Sequence, residues 1–295
     1  MQPEEILDRL WPGRPRAVEP LSGGITNHNF TVSFDDETVV LRIVGRDTSL
    51  LGIDRESEEA ASRTAASIGV GPEVVAFGDG YLITRFIPGE PIPPDRMRAP
   101  DSIARVARAL RDVHGAPAIP GRFDAHRVVE AYRDTASAHG VAIPPAYEWA
   151  HGVSARIETA RGSQQPVPCH NDLLNANFLD DGARIRIVDW EYAGMGDRFF
   201  DLANFSINHE FARDDDRALL AAYFERDSTD ADAAALGLMR FMSDFREAMW
   251  GVVQQGISEL DVDFVDYADQ HFERLRRTAG APEFRDWLAA ALPAS

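Results

Sequence analysis

Short stretches of alternating apolar and polar residues characterise the first third of the chain. Residues 29–34 and 38–44 are rich in β-branched side chains and flank an acidic turn, which predicts a β-hairpin. Helical spacing of apolar residues follows over residues 53–68, and glycine-containing turns bound two more predicted strands at 73–77 and 81–86. These elements predict a small antiparallel sheet with one helix.

Beyond a proline-dense connector at residues 88–100, apolar residues recur mostly with the period of a helix. A helix is predicted to begin at Asp101 or Ser102 and to end at Gly115. A long amphipathic helix is predicted over residues 231–257. This part of the chain therefore reads as mainly helical.

The two patterns together predict an α+β protein of two lobes. The 295 residues exceed the common length of one domain, about 100–200 residues. We assign residues 1–88 to a small lobe built on an antiparallel sheet and residues 89–295 to a larger, mainly helical lobe. Short strands are expected in the large lobe at residues 167–179 and 184–188.

The net charge of −18 restricts the choice of partner. Nucleic acid and anionic membranes require clustered positive charge, and the sequence contains no such cluster. A small cationic substrate suits this electrostatic field better. We therefore expect no nucleic-acid partner.

The N-terminus and the cysteine content indicate the cytoplasm. The N-terminus is polar and acidic, unlike a signal peptide. No apolar run approaches the ~20 residues that span a bilayer, so membrane insertion is not expected. A single cysteine, Cys169, excludes an intrachain disulfide, which fits a reducing compartment.

All 30 basic residues are arginines, and the chain contains no lysine. A Schiff-base lysine and the lysine of a P-loop are therefore excluded. Any cationic side chain that clamps a phosphate group must be an arginine.

The strongest chemical pattern lies between residues 170 and 189. His170, Asp172 and Asn177 stand close together in sequence, and Asp189 ends an apolar run. Asp172 is suited to hold or deprotonate an attacking hydroxyl, and Asn177 and Asp189 offer oxygen ligands to Mg²⁺. His170 is interpreted as a residue that fixes the loop by hydrogen bonds. The set predicts phosphoryl transfer; the alternative is a polar turn in which these side chains act only as caps.

The motifs HNDLLNAN and VDWEY resemble those of the choline/ethanolamine kinases, a branch of the aminoglycoside-phosphotransferase-like, protein-kinase-like superfamily. The resemblance extends over nearly the whole chain, since LSGGITNHNF is similar to the phosphate-covering loop, VVLRIVG to the third strand and MWGVVQQGIS to part of the acceptor pocket. It implies a protein-kinase-like fold in which the small lobe binds the nucleotide and the large lobe carries the catalytic loop and the acceptor pocket. It also implies ATP and Mg²⁺ as cofactors and a small amino alcohol, of the choline or ethanolamine type, as substrate.

The resemblance also assigns the nucleotide-binding residues. Arg42 replaces the usual strand lysine as phosphate clamp, and Glu58 is its partner acid, with Glu56 and Glu59 as close alternatives. The glycine-rich loop lacks side-chain bulk where backbone N–H groups approach phosphate. The further nucleotide contacts are expected from this loop and from an interlobe hinge, namely Gly23, Gly24, Thr26 and Asn27 in the loop and Phe86 and Ile87 in the hinge.

By the same resemblance, an aromatic and acidic pocket holds the ammonium group of the acceptor. Its residues are Tyr192, Glu247, Trp250, Phe264 and Tyr267. The chain departs from the family at two positions, because Glu247 stands where a second tryptophan is expected and Asn208 stands where an acid is expected. A primary ammonium can donate hydrogen bonds to Glu247, so we expect ethanolamine or another amino alcohol to be at least as good a substrate as choline.

Two other functions are compatible with the sequence. The same catalytic residues would serve a kinase of an aminoglycoside, thiamine or a sugar, since the acceptor pocket decides the substrate. A nucleotide-binding pseudokinase or scaffold is the alternative of another class, although Asp172, Asn177 and Asp189 are all retained. The residues leave the oligomeric state and the choice between ATP and GTP open.

Overall fold

The computed structural model describes residues 2–21, 27–45 and 48–290. A five-stranded antiparallel sheet forms the small lobe. Its strands are β1 (Ala17–Leu21), β2 (His28–Ser33), β3 (Thr38–Ile43), β4 (Val74–Gly78) and β5 (Tyr81–Arg85). They lie in the order β1-β2-β3-β5-β4, so β3 is the central strand. The predicted hairpin is confirmed, with Ser33 opposite Thr38 and Asn29 opposite Arg42.

Two helices accompany the sheet. The first, α1 (Pro3–Leu10), was not predicted; it buries Ile6 and Leu7 in the same hydrophobic cluster as the sheet. The second, α2 (Arg55–Ser67), begins where the Asp54 carboxylate accepts the Ser57 N–H at 3.0 Å. Its inner face packs into the core of the large lobe, so α2 lies between the two lobes.

The large lobe is built mainly from helices. These are α3 (Pro100–His114), α4 (Ala125–Ala138), α5 (Ala146–Arg161), α6 (Arg198–Asn208), α7 (Arg213–Phe224), α8 (Asp230–Ile257), α9 (Phe264–Gly280) and α10 (Phe284–Ala290). The predicted long helix is confirmed as α8, which has 28 residues, is buried over most of its length and packs against α4, α6 and α9.

Five short strands complete the large lobe. They are β6 (Glu90–Pro91), β7 (Val167–Cys169), β8 (Phe178–Asp180), β9 (Ile185–Ile187) and β10 (Gly194–Gly196). The antiparallel sheet β6-β8-β9 and the antiparallel pair β7-β10 lie on either side of the loop that contains residues 170–177.

One predicted boundary was wrong. The helix α3 begins at Pro100 rather than at Asp101 or Ser102, because proline lacks an N–H and its fixed φ suits the first position of a helix. The short strands predicted at residues 167–179 and 184–188 are confirmed as β7, β8 and β9, and side chains rather than a strand ladder hold the loop backbone after Cys169. The α+β, two-lobed architecture is confirmed. Within the described ranges, no helix combines the length and apolar character needed to cross a membrane.

Candidate active site

The loop between β7 and β8 is held from within the protein by Asp201 of α6. The two oxygens of this fully buried carboxylate accept the backbone N–H of Asn171 at 2.7 Å and that of His170 at 2.8 Å. His114 Nε2 lies 3.1 Å from the same carboxylate. Asn171 has a φ of 67°, a left-handed conformation that asparagine tolerates better than most residues. One buried acid thus fixes the loop backbone.

His170 holds the loop from its other side. Its Nε2 lies 2.9 Å from the carbonyl oxygen of Val188, and its Nδ1 accepts the backbone N–H of Asp172 at 3.2 Å. Burial lowers the pKa of His170, so the ring is neutral. Both ring nitrogens are occupied, which is the role that the sequence indicated for this residue.

Asp172 lies at the surface of the loop, with 14% of its side chain exposed. Burial raises the pKa of Asp172 to about 7; the negative charge of Glu247 adds to this rise and the cation of Arg246 opposes it. Arg246 Nη1 lies 3.4 Å from Asp172 Oδ1. The carboxylate therefore has a pKa near neutrality, in the range where a general base is most effective.

The loop brings Asn177 close to Asp189. The Asn177 side-chain amide donates to the Asp172 carbonyl oxygen at 2.8 Å, and the Asn177 carbonyl oxygen accepts the Val188 N–H at 3.0 Å. Asp189, with a φ of 66°, directs one carboxylate oxygen to Arg42. Among the residues that the structure describes, none donates a hydrogen bond to the Asn177 side-chain oxygen or to the second oxygen of Asp189, so both can serve a cation.

Glu191 extends this group of oxygen atoms and was missed in the sequence. It is 4% exposed and accepts a hydrogen bond from the Asn27 side chain at 3.0 Å. Burial and the neighbouring Asp189 raise the pKa of Glu191. Its position two residues after Asp189, in the motif VDWEY, was the available signal. Carboxylate and amide oxygens are the ligands that Mg²⁺ prefers, so this donor set fits that ion.

Arg42 of β3 is 6% exposed and contacts two acids, Glu58 of α2 and Asp189. Of the three glutamates considered, the structure thus pairs Glu58 with Arg42. A second cation, Arg55, was not predicted: its Nη1 lies 2.5 Å from Glu58 and its Nη2 donates to Thr48 Oγ1 at 2.6 Å. Both arginines pair with Glu58, and Asp189 and Glu191 lie beside them, so the interface between the lobes contains a network of opposite charges.

The structure describes only some of the other residues predicted to contact the nucleotide. Gly23, Gly24 and Thr26 lie outside the described residues. Asn27 is 7% exposed. In the hinge, the Phe86 N–H donates to the Thr38 carbonyl oxygen at 3.1 Å.

The hinge retains other backbone groups for a ligand. The Ile87 carbonyl oxygen accepts the Gly89 N–H at 2.8 Å, and the Phe86 ring is 41% exposed. Within the described ranges, the Phe86 carbonyl oxygen and the Ile87 N–H form no backbone hydrogen bond, so both groups are available to a ligand.

The five predicted acceptor residues lie together between α8, α9 and the segment after β9. The Trp250 ring centroid lies 5.8 Å from that of Phe264 and 5.5 Å from that of Tyr267. Trp250 Nε1 donates to the Tyr192 hydroxyl at 3.1 Å, and the Tyr267 hydroxyl donates to Glu247 at 2.8 Å. The group therefore combines aromatic faces with one buried carboxylate.

Arg246 also enters this group and was missed in the sequence. It is 2% exposed, its guanidinium carbon lies 4.4 Å from the Tyr192 ring centroid, and its Nη1 is hydrogen-bonded to Glu247.

Asn208 is the last residue of α6, and its side-chain nitrogen is buried with no acceptor in the part of the chain that the structure describes.

Arg42 on the sheet forms an ion pair with Glu58 of α2, and Asp172 lies on a separate loop beside the oxygen ligands. This arrangement defines a phosphotransferase of the protein-kinase-like class. Residues 18–223 match the family model described as choline/ethanolamine kinase. The chain belongs to the choline/ethanolamine kinase family. The predictions of this family and of a phosphotransferase with an alcohol acceptor are confirmed.

Individual relatives agree with this assignment. The crystal structure of a choline/ethanolamine kinase family protein from Mesorhizobium loti is 32% identical, covers 96% of this chain and 94% of its own, and has a TM-score of 0.83. A probable ethanolamine kinase of Arabidopsis thaliana is 27% identical over 289 residues, which span 85% of this chain and 76% of that protein. The fold alone is shared with the choline kinase LicA of Streptococcus pneumoniae, which is 20% identical with a TM-score of 0.78 over 93% of this chain and 96% of its own. A structure of LicA in complex with AMP has a TM-score of 0.77 over 98% of this chain and 97% of its own.

Proposed function

We propose that the protein transfers the γ-phosphoryl group of ATP, with Mg²⁺, to the hydroxyl of a small amino alcohol. The observation that carries this proposal is the position of the 170–177 loop. Through Asn177 the loop is hydrogen-bonded to the backbone of Val188, next to Asp189, and through Asp172 it contacts Arg246 of the aromatic group. Family membership and the AMP complex of LicA support the same reading.

Residues 1–88 are proposed to bind the nucleotide. Arg42 and Arg55 supply the positive charge for its phosphates, and the forked guanidinium of Arg42 is suited to bidentate contact with phosphate oxygens. The glycine-rich loop with Gly23, Gly24, Thr26 and Asn27 is proposed to cover the phosphates, and the Phe86 carbonyl and Ile87 N–H to meet the adenine.

Residues 89–295 are proposed to carry the catalytic loop and the acceptor pocket. Asn177, Asp189 and Glu191 are the residues that would hold Mg²⁺, which when bound neutralises phosphate charge. Asp172 holds the acceptor hydroxyl and receives its proton. A pKa of about 7 suits this step, since a base with a pKa near the working pH is most effective.

The acceptor is proposed to be ethanolamine or a similar amino alcohol, with choline no better. Both oxygens of Glu247 already accept one hydrogen bond, from Arg246 and from Tyr267. A carboxylate has about four acceptor sites, so Glu247 can still accept from a primary ammonium. Trp250, Phe264 and Tyr192 supply the apolar walls.

We also place the enzyme in the cytoplasm. Its single cysteine, Cys169, is buried and unpaired, as is usual in a reducing compartment.

An ADP-release assay over a panel of alcohols tests the proposed function. We expect turnover with ethanolamine and its N-methylated derivatives that requires Mg²⁺, and none above background with thiamine or aminoglycosides. Preferred turnover of an aminoglycoside would contradict the acceptor assignment. If no alcohol stimulates ADP release while ATP binds, the protein is a nucleotide-binding pseudokinase.

A further inference from the structure

Arg246 places a permanent cation inside the proposed acceptor pocket. Its guanidinium lies over the Tyr192 ring at 4.4 Å, is bonded to Glu247 and lies 3.4 Å from Asp172. These three contacts, with one aromatic face and two carboxylates, are of the kinds that bind a cationic acceptor. The pocket thus contains its own cation before any substrate enters.

We propose that Arg246 determines the acceptor selectivity of this enzyme by favouring a primary ammonium over a trimethylammonium group. The inference rests on the proposed function and adds to it a residue that discriminates between acceptors. It is measured by the ratio of kcat/KM for two acceptors, because an effect of Arg246 on the neighbouring Asp172 enters both values alike.

The first argument is the aromatic face that Arg246 covers. A trimethylammonium group donates no hydrogen bond, so its binding depends on contact with aromatic faces. With Tyr192 stacked on the guanidinium, only the rings of Trp250, Phe264 and Tyr267 are left for such a group. Choline therefore loses part of the attraction on which it depends.

The second argument concerns hydrogen bonds. A primary ammonium is smaller than a trimethylammonium and donates to carboxylate oxygens, so it can share Glu247 with Arg246 and Tyr267. The positive charge of Arg246 repels both acceptors alike. The difference between them therefore arises from size and from hydrogen bonding.

The third observation is how Arg246 is held. Among the described residues, its Nε and Nη2 are buried without an acceptor. The guanidinium is therefore held by Glu247, Asp172 and the Tyr192 ring, and Arg246→Met removes these contacts together.

The wild-type enzyme supplies the first test. We expect kcat/KM to fall from ethanolamine through its mono- and dimethyl derivatives to choline, by about tenfold in total, the scale of one cation–aromatic contact. A choline value equal to or above that of ethanolamine overturns the inference. Failure of every amino alcohol would instead overturn the proposed function, so the two failures are distinguishable.

Arg246→Met supplies the second test. Methionine keeps an unbranched stem and uncovers the Tyr192 face, so the ratio of kcat/KM for choline to that for ethanolamine should rise by roughly three- to thirtyfold. Arg240→Met is the matched control, since Arg240 lies on the same helix but pairs with Asp216 at 2.6 Å. Its ratio should stay at the wild-type value.

A double variant provides a test in case Arg246→Met does not fold. Removing Arg246 alone leaves Asp172 and Glu247 without a counter-charge, which is the costly way to break a buried pair. Arg246→Met with Glu247→Gln removes both charges of the pair and should raise the choline ratio above that of the Glu247→Gln single variant. A folded Arg246→Met with the wild-type ratio, or a double variant with the ratio of Glu247→Gln alone, overturns the inference.

Discussion

Arg42 of the central strand β3 forms an ion pair with Glu58 of α2, so a single cation joins the sheet to the helix between the lobes. The same guanidinium contacts Asp189, the second residue after β9. In a chain without lysine, this arginine is the strand residue that connects the proposed nucleotide site to the proposed metal site.

Arg42→Met is expected to lower kcat/KM for ATP by about 10²–10³-fold, because a charge-stabilising donor is lost from the reacting phosphate. The kcat/KM of Arg42→Lys should lie between those of the wild type and Arg42→Met, since an ammonium is a point charge and cannot replace the guanidinium fork. Steady-state kinetics with varied ATP checks this. Arg63→Met is the control, as Arg63 is an exposed α2 arginine paired with Glu59. Retention of a third or more of wild-type kcat/KM in Arg42→Met would show that Arg42 does not serve the nucleotide.

Asp172→Asn is expected to lower kcat by about 10²–10⁴-fold, the usual contribution of a general base. The amide keeps the shape of the side chain, so ATP affinity measured by calorimetry should change by no more than about twofold. If kcat falls by only a few-fold, Asp172 is not the base and the hydroxyl is held by another group.

Asp201→Asn is expected to lower the free energy of unfolding by about 2–4 kcal/mol, because the amide turns a donor towards one of two buried backbone N–H groups. The activity should fall as well, since the same contacts fix the loop before Asp172. Urea unfolding checks the first effect and kcat the second. Asp269→Asn, at an exposed position of α9, is the comparison for a generic loss of carboxylate. An Asp201→Asn protein as stable as the wild type would show that the loop is held elsewhere.

The sequence predicted those elements whose burial follows a local period. The hairpin of β2 and β3 and the long helix α8 both bury one repeating set of apolar residues. The strand β1 was missed, because four of its five residues are exposed and no alternation marks it. Its place in the sheet comes from pairing with β2.

The residues of the candidate site were likewise predicted where a local motif marks them and missed where only the fold brings partners together. Asp172, Asn177 and Asp189 stand in short motifs whose spacing is itself informative. Arg246 was missed because its partner Asp172 lies 74 residues away, and no local pattern distinguishes it from other arginines. Arg55 was missed for another reason: its partner Glu58 is only three residues away, as in many helix ion pairs, and its place beside Arg42 depends on the contact of α2 with β3.

Tyr267→Phe is expected to raise KM for ethanolamine by about three- to tenfold with kcat nearly unchanged. The phenol donates to Glu247 at 2.8 Å, and a hydrogen bond to a charged acceptor contributes about 1.5–3 kcal/mol, part of which water or substrate can replace. Initial rates at varied ethanolamine and saturating ATP separate the two constants. A fall in kcat with unchanged KM would place Tyr267 in the chemical step rather than in acceptor binding.

Removal of divalent cations with a chelator is expected to abolish phosphoryl transfer, and Asp189→Asn to raise the Mg²⁺ concentration for half-maximal rate at least about tenfold. Asparagine is the appropriate substitute because Asp189 has a φ of 66°, which asparagine adopts readily. Asp189→Ala adds a backbone penalty of about 1–2 kcal/mol to the loss of the ligand. It should therefore unfold at a lower urea concentration than Asp189→Asn, while the two share the same defect in Mg²⁺ dependence. A wild-type Mg²⁺ titration curve in the Asp189→Asn protein would remove Asp189 from the metal site.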